Sequence, residues 1–96
     1  MQVKVRGDLF VDLAKVERIG KAYENVKDLV AVAQPDVVTV CVEGDKVDAE
    51  ALHKSYFPSE LKHVAHLLKI EKLTQLPRLP SGKVDRTSLQ KQFELE

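Results

Sequence analysis

Seven consecutive residues, Val37 to Glu43, leave this chain the least choice. In an extended segment Val38, Val40 and Val42 share one face, while Val37, Thr39 and Cys41 share the other. A strand rich in β-branched residues with apolar groups on both faces has to be covered on both, so it belongs in the middle of a layered fold. Val26 to Ala33 reads as a second strand, and Gln34-Pro35-Asp36 between the two is a turn signal, so the pair is predicted to form an antiparallel hairpin over 26–33 and 37–43. Cys41 is then a core residue and not a nucleophile, because a buried thiol behaves as a small hydrophobe.

The flanking segments supply the covering elements. Val3 and Val5 alternate with Gln2, Lys4 and Arg6, and an apolar run resumes at Leu9 after Gly7-Asp8. This pattern predicts a hairpin over 2–11 with Gly7 at its tip. From Asp12 the period changes to that of a helix over 12–24. Leu13, Val16, Ile19 and Tyr23 form its inner stripe, and Lys15, Glu17, Arg18 and Lys21 are expected to face out. Asp12 is the expected N-cap and Asn25 the left-handed residue that ends the helix. A second helix is predicted over 48–57, stopped by Pro58. Ser59 to Leu73 fits two patterns: a helix with Leu61, Val64, Ala65 and Leu68 as its stripe, or a loop followed by an alternating strand.

Composition narrows the function classes. Fifteen basic and fifteen acidic residues cancel without a basic run, which lowers the case for a nucleic-acid surface. One cysteine cannot form an internal disulfide, and this suits a reducing compartment; the expected location is cytoplasmic. No segment has transmembrane length and the first ten residues lack an apolar signal core, so no membrane partner is expected. His63 and His66 stand three apart with His53 distant, and no cysteine or carboxylate completes a ligand spacing, so no metal site is expected.

The segment that looks arranged to present a reactive group is PSGKVDR, Pro80 to Arg86. Leu79-Pro80-Ser81-Gly82 fits a type I turn, which holds Lys83 out on a stiff support. Asp85 or Thr87 can cap a short helix over 86–93, and Thr87 to Gln90 reads as a capping box. A phosphate-cradling loop is excluded, because Pro77 stands where its first glycine is needed and Val84 where it needs Ser or Thr. On spacing alone the segment is an exposed turn.

LPRLPSGKVDRTSL, Leu76 to Leu89, resembles the last core motif of the adenylate-forming ligases, the superfamily of acyl-CoA synthetases and peptide-synthetase adenylation domains. Its Gly-Lys-Val-Asp-Arg run is most similar to the peptide-synthetase branch. QVKVRG, Gln2 to Gly7, with VDLAKVE, Val11 to Glu17, is similar to the motif that opens the small C-terminal subdomain in that superfamily. The spacer Asp8-Leu9-Phe10 is one residue longer than the usual pattern, and Ala14-Lys15 replaces a Gly-Glu pair. The resemblance covers nearly the whole chain. It implies a single C-terminal subdomain over 1–96 of α+β class: a small mixed three-stranded sheet packed with helices and preceded by the short hairpin. It also implies that the ambiguous segment is a strand over 65–72, followed by the lysine loop at 76–83.

The same resemblance implies a function. Such a subdomain is the mobile lid of an enzyme that joins a carboxylic or amino acid to the α-phosphate of ATP, with Mg2+, and then passes the acyl group to phosphopantetheine or coenzyme A. Lys83 matches the catalytic lysine, Gly82 and Lys83 the ATP-binding turn, and Gly7 the glycine beside the pantetheine channel, flanked by Lys4 and Arg6. The implied partners are a large N-terminal subdomain, which holds most of the ATP and Mg2+ site, and a carrier protein or coenzyme A. A rival reading is a non-catalytic α/β interaction domain, or a degenerate lid that binds a carrier protein.

Overall fold

The computed structural model describes residues 2–5 and 9–94. Strands β1 (Gln2–Val5) and β2 (Leu9–Asp12) pair antiparallel, with Val3 opposite Val11 and Lys4 opposite Phe10. Helix α1 (Leu13–Lys21) follows directly. Its N-cap is Asp12, whose carboxylate accepts the Lys15 N–H at 3.2 Å and is held below the ordinary aspartate range by that bond. The helix is shorter than the expected 12–24: it ends at Lys21 with Ala22 as its C-cap, in the right-handed region. Asn25 takes the expected left-handed φ, 68°, in the turn beyond the helix and does not itself end it.

Strands β3 (Asp28–Ala33) and β4 (Val38–Glu43) form the predicted antiparallel hairpin, and β5 (Leu68–Leu73) adds parallel to β4. The sheet is therefore mixed, in the order β3-β4-β5, with β4 in the centre. Its two faces are covered by different partners. Val38, Val40 and Val42 join Leu29, Val16, Leu52, Phe57 and Leu67 in one core, while Cys41 joins Val30, Val32, Leu76 and Leu89 in the other. The alternation expected over 37–43 is thus a real two-sided strand, formed by Val38–Glu43, and Cys41 is fully buried in it. Burial pushes its thiol up to about 12, with the nearby Glu71 charge adding to the effect. Each fully buried Leu, Val or Phe contributes about 1.5–3 kcal/mol of transfer free energy, and the two layers hold the sheet from both sides.

Further features of the fold differ from expectation. The second helix does not stop at Pro58. A helical run α2 over 49–60 consists of Ala49–Ala51, a π-turn at Leu52–Tyr56 and a last turn at Phe57–Glu60. The Phe57 N–H reaches the Leu52 carbonyl, five residues back. That widened turn makes room for the proline ring, so the helix passes it. The strand expected over 65–72 begins at Leu68, because Ala65–Leu67 form a 3-10 turn whose Ala65 N–H still bonds the Leu61 carbonyl at 2.9 Å. Finally, Glu17 faces in and not out: it is 8% exposed, on the buried stripe Leu13, Val16, Glu17 and Gly20. No helix among the described residues is long and apolar enough to cross a membrane.

Candidate functional site

The lysine loop is a small hairpin built from its own backbone. Gly82 N–H closes the turn on the Leu79 carbonyl at 2.8 Å, and Leu79 N–H bonds the Lys83 carbonyl at 2.8 Å. Arg78 and Val84 pair as a bridge, and Asp85 N–H bonds the Pro77 carbonyl at 2.8 Å. Pro80 presets the second turn position. Gly82 has a φ of 92°, a conformation that costs an L side chain strain, and a Cβ there would meet nothing within 4 Å. The glycine is demanded by the backbone angle, and the space beside it is open. A turn followed by a left-handed residue is the three-residue hairpin solution.

Lys83 projects from this support. It is exposed, and its ammonium makes no hydrogen bond or ion pair with any described residue. A cleft of about 440 Å3 runs beneath it, with Lys21, Asp28, Arg78, Leu79 and Arg86 in its wall. Leu79 is 44% exposed and Phe10 on β2 58%, so each hairpin leaves a large apolar side chain open to solvent.

The helix after the loop, α3 (Arg86–Glu94), is capped by Asp85, which decides between the two alternatives open in the sequence. Its carboxylate accepts the Ser88 Oγ–H at 2.8 Å and the Ser88 N–H at 3.1 Å. Those bonds favour the ionised form and hold Asp85 below the ordinary aspartate range. The Thr87–Gln90 capping box does not form, because Thr87 lies inside the helix. Gln90 instead donates from Nε2 to the Ala33 carbonyl at 2.8 Å.

Two ionic groups that the sequence pattern did not reveal anchor the loop. Glu17 accepts both Arg86 Nη atoms, at 2.7 and 2.9 Å, and also the Ala31 N–H of edge strand β3 at 2.9 Å. One carboxylate therefore joins α1, the sheet edge and the start of α3, and its hydrogen bonds keep the Arg86 guanidinium above its ordinary value. Arg78 donates from Nη1 to the Gly82 carbonyl at 3.1 Å and from Nη2 to Asp28 Oδ2 at 3.1 Å and Glu43 Oε1 at 3.4 Å. The available signal was Glu17 at the i+4 position of a stripe that begins at Leu13; the partner, 69 residues away, had none.

Of the other predicted site residues, Lys4 lies in β1, whereas Arg6 and Gly7 fall outside the described residues. A second cleft, of about 320 Å3, lies where Phe10, Lys15, Leu61 and His63 meet. Among the described residues no group of three or more His, Cys, Asp or Glu side chains could hold a metal ion.

No protein-family model and no curated relative matches this sequence. Solved structures do. Over 97% of this chain it is similar to the amide bond synthetase McbA from Marinactinospora thermotolerans, with a TM-score of 0.73 and 20% identity. Over 88% it is similar to an acyl-CoA synthetase from Brucella canis (TM-score 0.66, 25% identity), and over 95% to the anthranilate CoA ligase AuaEII (TM-score 0.68, 22% identity). The chain spans 20%, 17% and 18% of those proteins, respectively. Its fold is that of the C-terminal domain of adenylate-forming enzymes.

Proposed function

We propose that this chain is the mobile C-terminal lid of an AMP-forming ligase, which activates a carboxylic or amino acid as an acyl-adenylate and transfers it to a pantetheine thiol. The observation that carries the reading is the Lys83 ammonium, held out on a braced hairpin and unpartnered among the described residues, within a fold shared with such ligases.

In the first half-reaction a carboxylate oxygen attacks the α-phosphorus of ATP and pyrophosphate leaves with the bond's electron pair. Two anions must approach, and charge accumulates on the phosphoryl oxygens. Lys83 offsets that charge and orients the carboxylate. A compact ammonium on a flexible stem suits this bridging task better than a flat guanidinium. The braced hairpin limits the freedom lost when the lysine engages, and ATP with its Mg2+ is held mainly by a large N-terminal subdomain. In the second half-reaction the lid turns to present the β1–β2 edge to the pantetheine arm, and the family resemblance assigns Gly7, Lys4 and Arg6 to that step. The exposed side chains of Leu79 on one hairpin and Phe10 on the other support this two-edged use, since each offers apolar area to a partner surface.

The test compares the 96-residue chain with the full-length enzyme in carboxylate-dependent ATP–pyrophosphate exchange. The account expects the isolated chain to fold by circular dichroism and to give no exchange, and the full-length enzyme to exchange. Adenylate formation by the isolated chain would overturn the lid reading; a full-length protein that binds a carrier protein but exchanges with no carboxylate would favour the interaction-domain reading.

A further inference from the structure

The hairpin's backbone bonds define its shape but not its angle to the sheet. Arg78 ties its tip to the sheet. Its guanidinium joins the Gly82 carbonyl, immediately before Lys83, to Asp28 and Glu43, the first residue of β3 and the last of β4. Asp28 and Glu43 are directly opposite each other in the β3–β4 register. Like charges in that position repel, so the pair needs a cation between them. Lys21 stands 3.7 Å from Asp28, and Glu43 Oε1 also accepts the Leu76 N–H at 2.9 Å, where the loop leaves the core. One carboxylate therefore fixes both the root of the loop and the arginine that holds its tip.

We propose that Arg78 is a positioning residue for Lys83, a latch that holds the lysine hairpin at one angle to the sheet by bridging the Gly82 carbonyl to the Asp28–Glu43 pair. The inference rests on the catalytic reading of Lys83. A planar fork can hold a carbonyl and two carboxylates in fixed directions, whereas a lysine supplies only a point charge. With the latch open the hairpin keeps its internal bonds, but Lys83 swings relative to the α-phosphate. A displacement of about 1 Å in a reacting group costs up to about a hundredfold in rate.

The experiment uses the full-length enzyme in carboxylate-dependent ATP–pyrophosphate exchange. Five variants are compared with wild type: Arg78→Lys, Arg78→Gln, Arg78→Gln with Asp28→Asn, Lys83→Ala, and Arg78→Gln with Lys83→Ala. Asp28→Asn removes the like-charge repulsion left by Arg78→Gln, so this double variant is expected to unfold at the wild-type midpoint, checked by urea unfolding, without restoring the latch. The expected result is a kcat lowered roughly 10- to 100-fold in all three Arg78 variants that keep Lys83, with KM for ATP and carboxylate within about threefold of wild type. In the Lys83→Ala background, Arg78→Gln should cost nothing further, because a latch has no effect once its lysine is gone. Wild-type kcat in the stability-restored variant, or equal losses in the presence and absence of Lys83, would overturn the latch while leaving the lysine's role standing. Unchanged exchange in Lys83→Ala would instead overturn the reading on which the latch depends.

Discussion

Replacing either member of the Glu17–Arg86 pair by alanine tests the fold where the structure departs most from the sequence pattern. Arg86→Ala leaves the Glu17 carboxylate, whose side chain is 11% exposed, with the Ala31 N–H as its remaining donor among these contacts. A fully buried charge stripped of its partner costs about 3–5 kcal/mol; the 57% exposure of the Arg86 side chain screens this pair and brings the figure to about 2–3 kcal/mol. Glu17→Ala acts differently. It frees an arginine that water can solvate, but orphans the N–H of Ala31, which is 3% exposed, at about 1–3 kcal/mol. The double variant orphans the same N–H and strands no carboxylate, so it should match Glu17→Ala alone and fall well short of the sum. Urea unfolding followed by circular dichroism reads this directly. With a slope of about 1 kcal/mol per molar for a domain of this size, 2 kcal/mol moves the midpoint by about 2 M. Single variants within about 0.5 kcal/mol of wild type, the range of a solvated surface position, would refute the clamp. So would strictly additive losses.

Two further predictions concern titration. Asp85 is held below its ordinary value of 3.8, so its contribution is present above that value and lost as pH falls through the lower folded one. Asp85→Asn should therefore flatten the acid limb of an unfolding-midpoint profile, and an unchanged limb would contradict the cap. The Cys41 thiol, raised from 9.0 to about 12, stabilises the fold fully below pH 9.0 and progressively less as pH rises toward 12. It should stay unreactive to a thiol reagent at pH 8 until denaturant exposes it, and rapid labelling of the native chain would contradict its burial.

The β3–β4 hairpin was legible because its signals are local. Alternating β-branched residues in Val37–Glu43 and a proline turn at Gln34-Pro35-Asp36 dictate a hairpin whatever surrounds them, and the 3.6 period after Asp12 dictates a helix. The helix through Pro58 was not legible, since a π-turn that accommodates a proline leaves no mark in the spacing. Glu17 was misassigned because charged residues face water by default, and the reason it does not lies at Arg86, far along the chain. The strand at Leu68–Leu73 is an edge with one face largely open, so its alternation is weak, and family resemblance decided it. At the site, Lys83 and its turn could be read from Pro80-Ser81-Gly82, whereas Arg78 and its two carboxylates needed the register of β3 and β4.

The central claim is that Lys83 serves adenylation and not the transfer that follows. The direct measurement is the pair of half-reactions in full-length enzyme carrying Lys83→Ala: carboxylate-dependent ATP–pyrophosphate exchange, and acyl transfer from a preformed adenylate to a pantetheine thiol. The account predicts a loss of at least a hundredfold in exchange, about 2.7 kcal/mol of transition-state stabilisation, with transfer largely retained. Unchanged exchange would contradict it and leave Lys83 as a surface residue on a well-made turn.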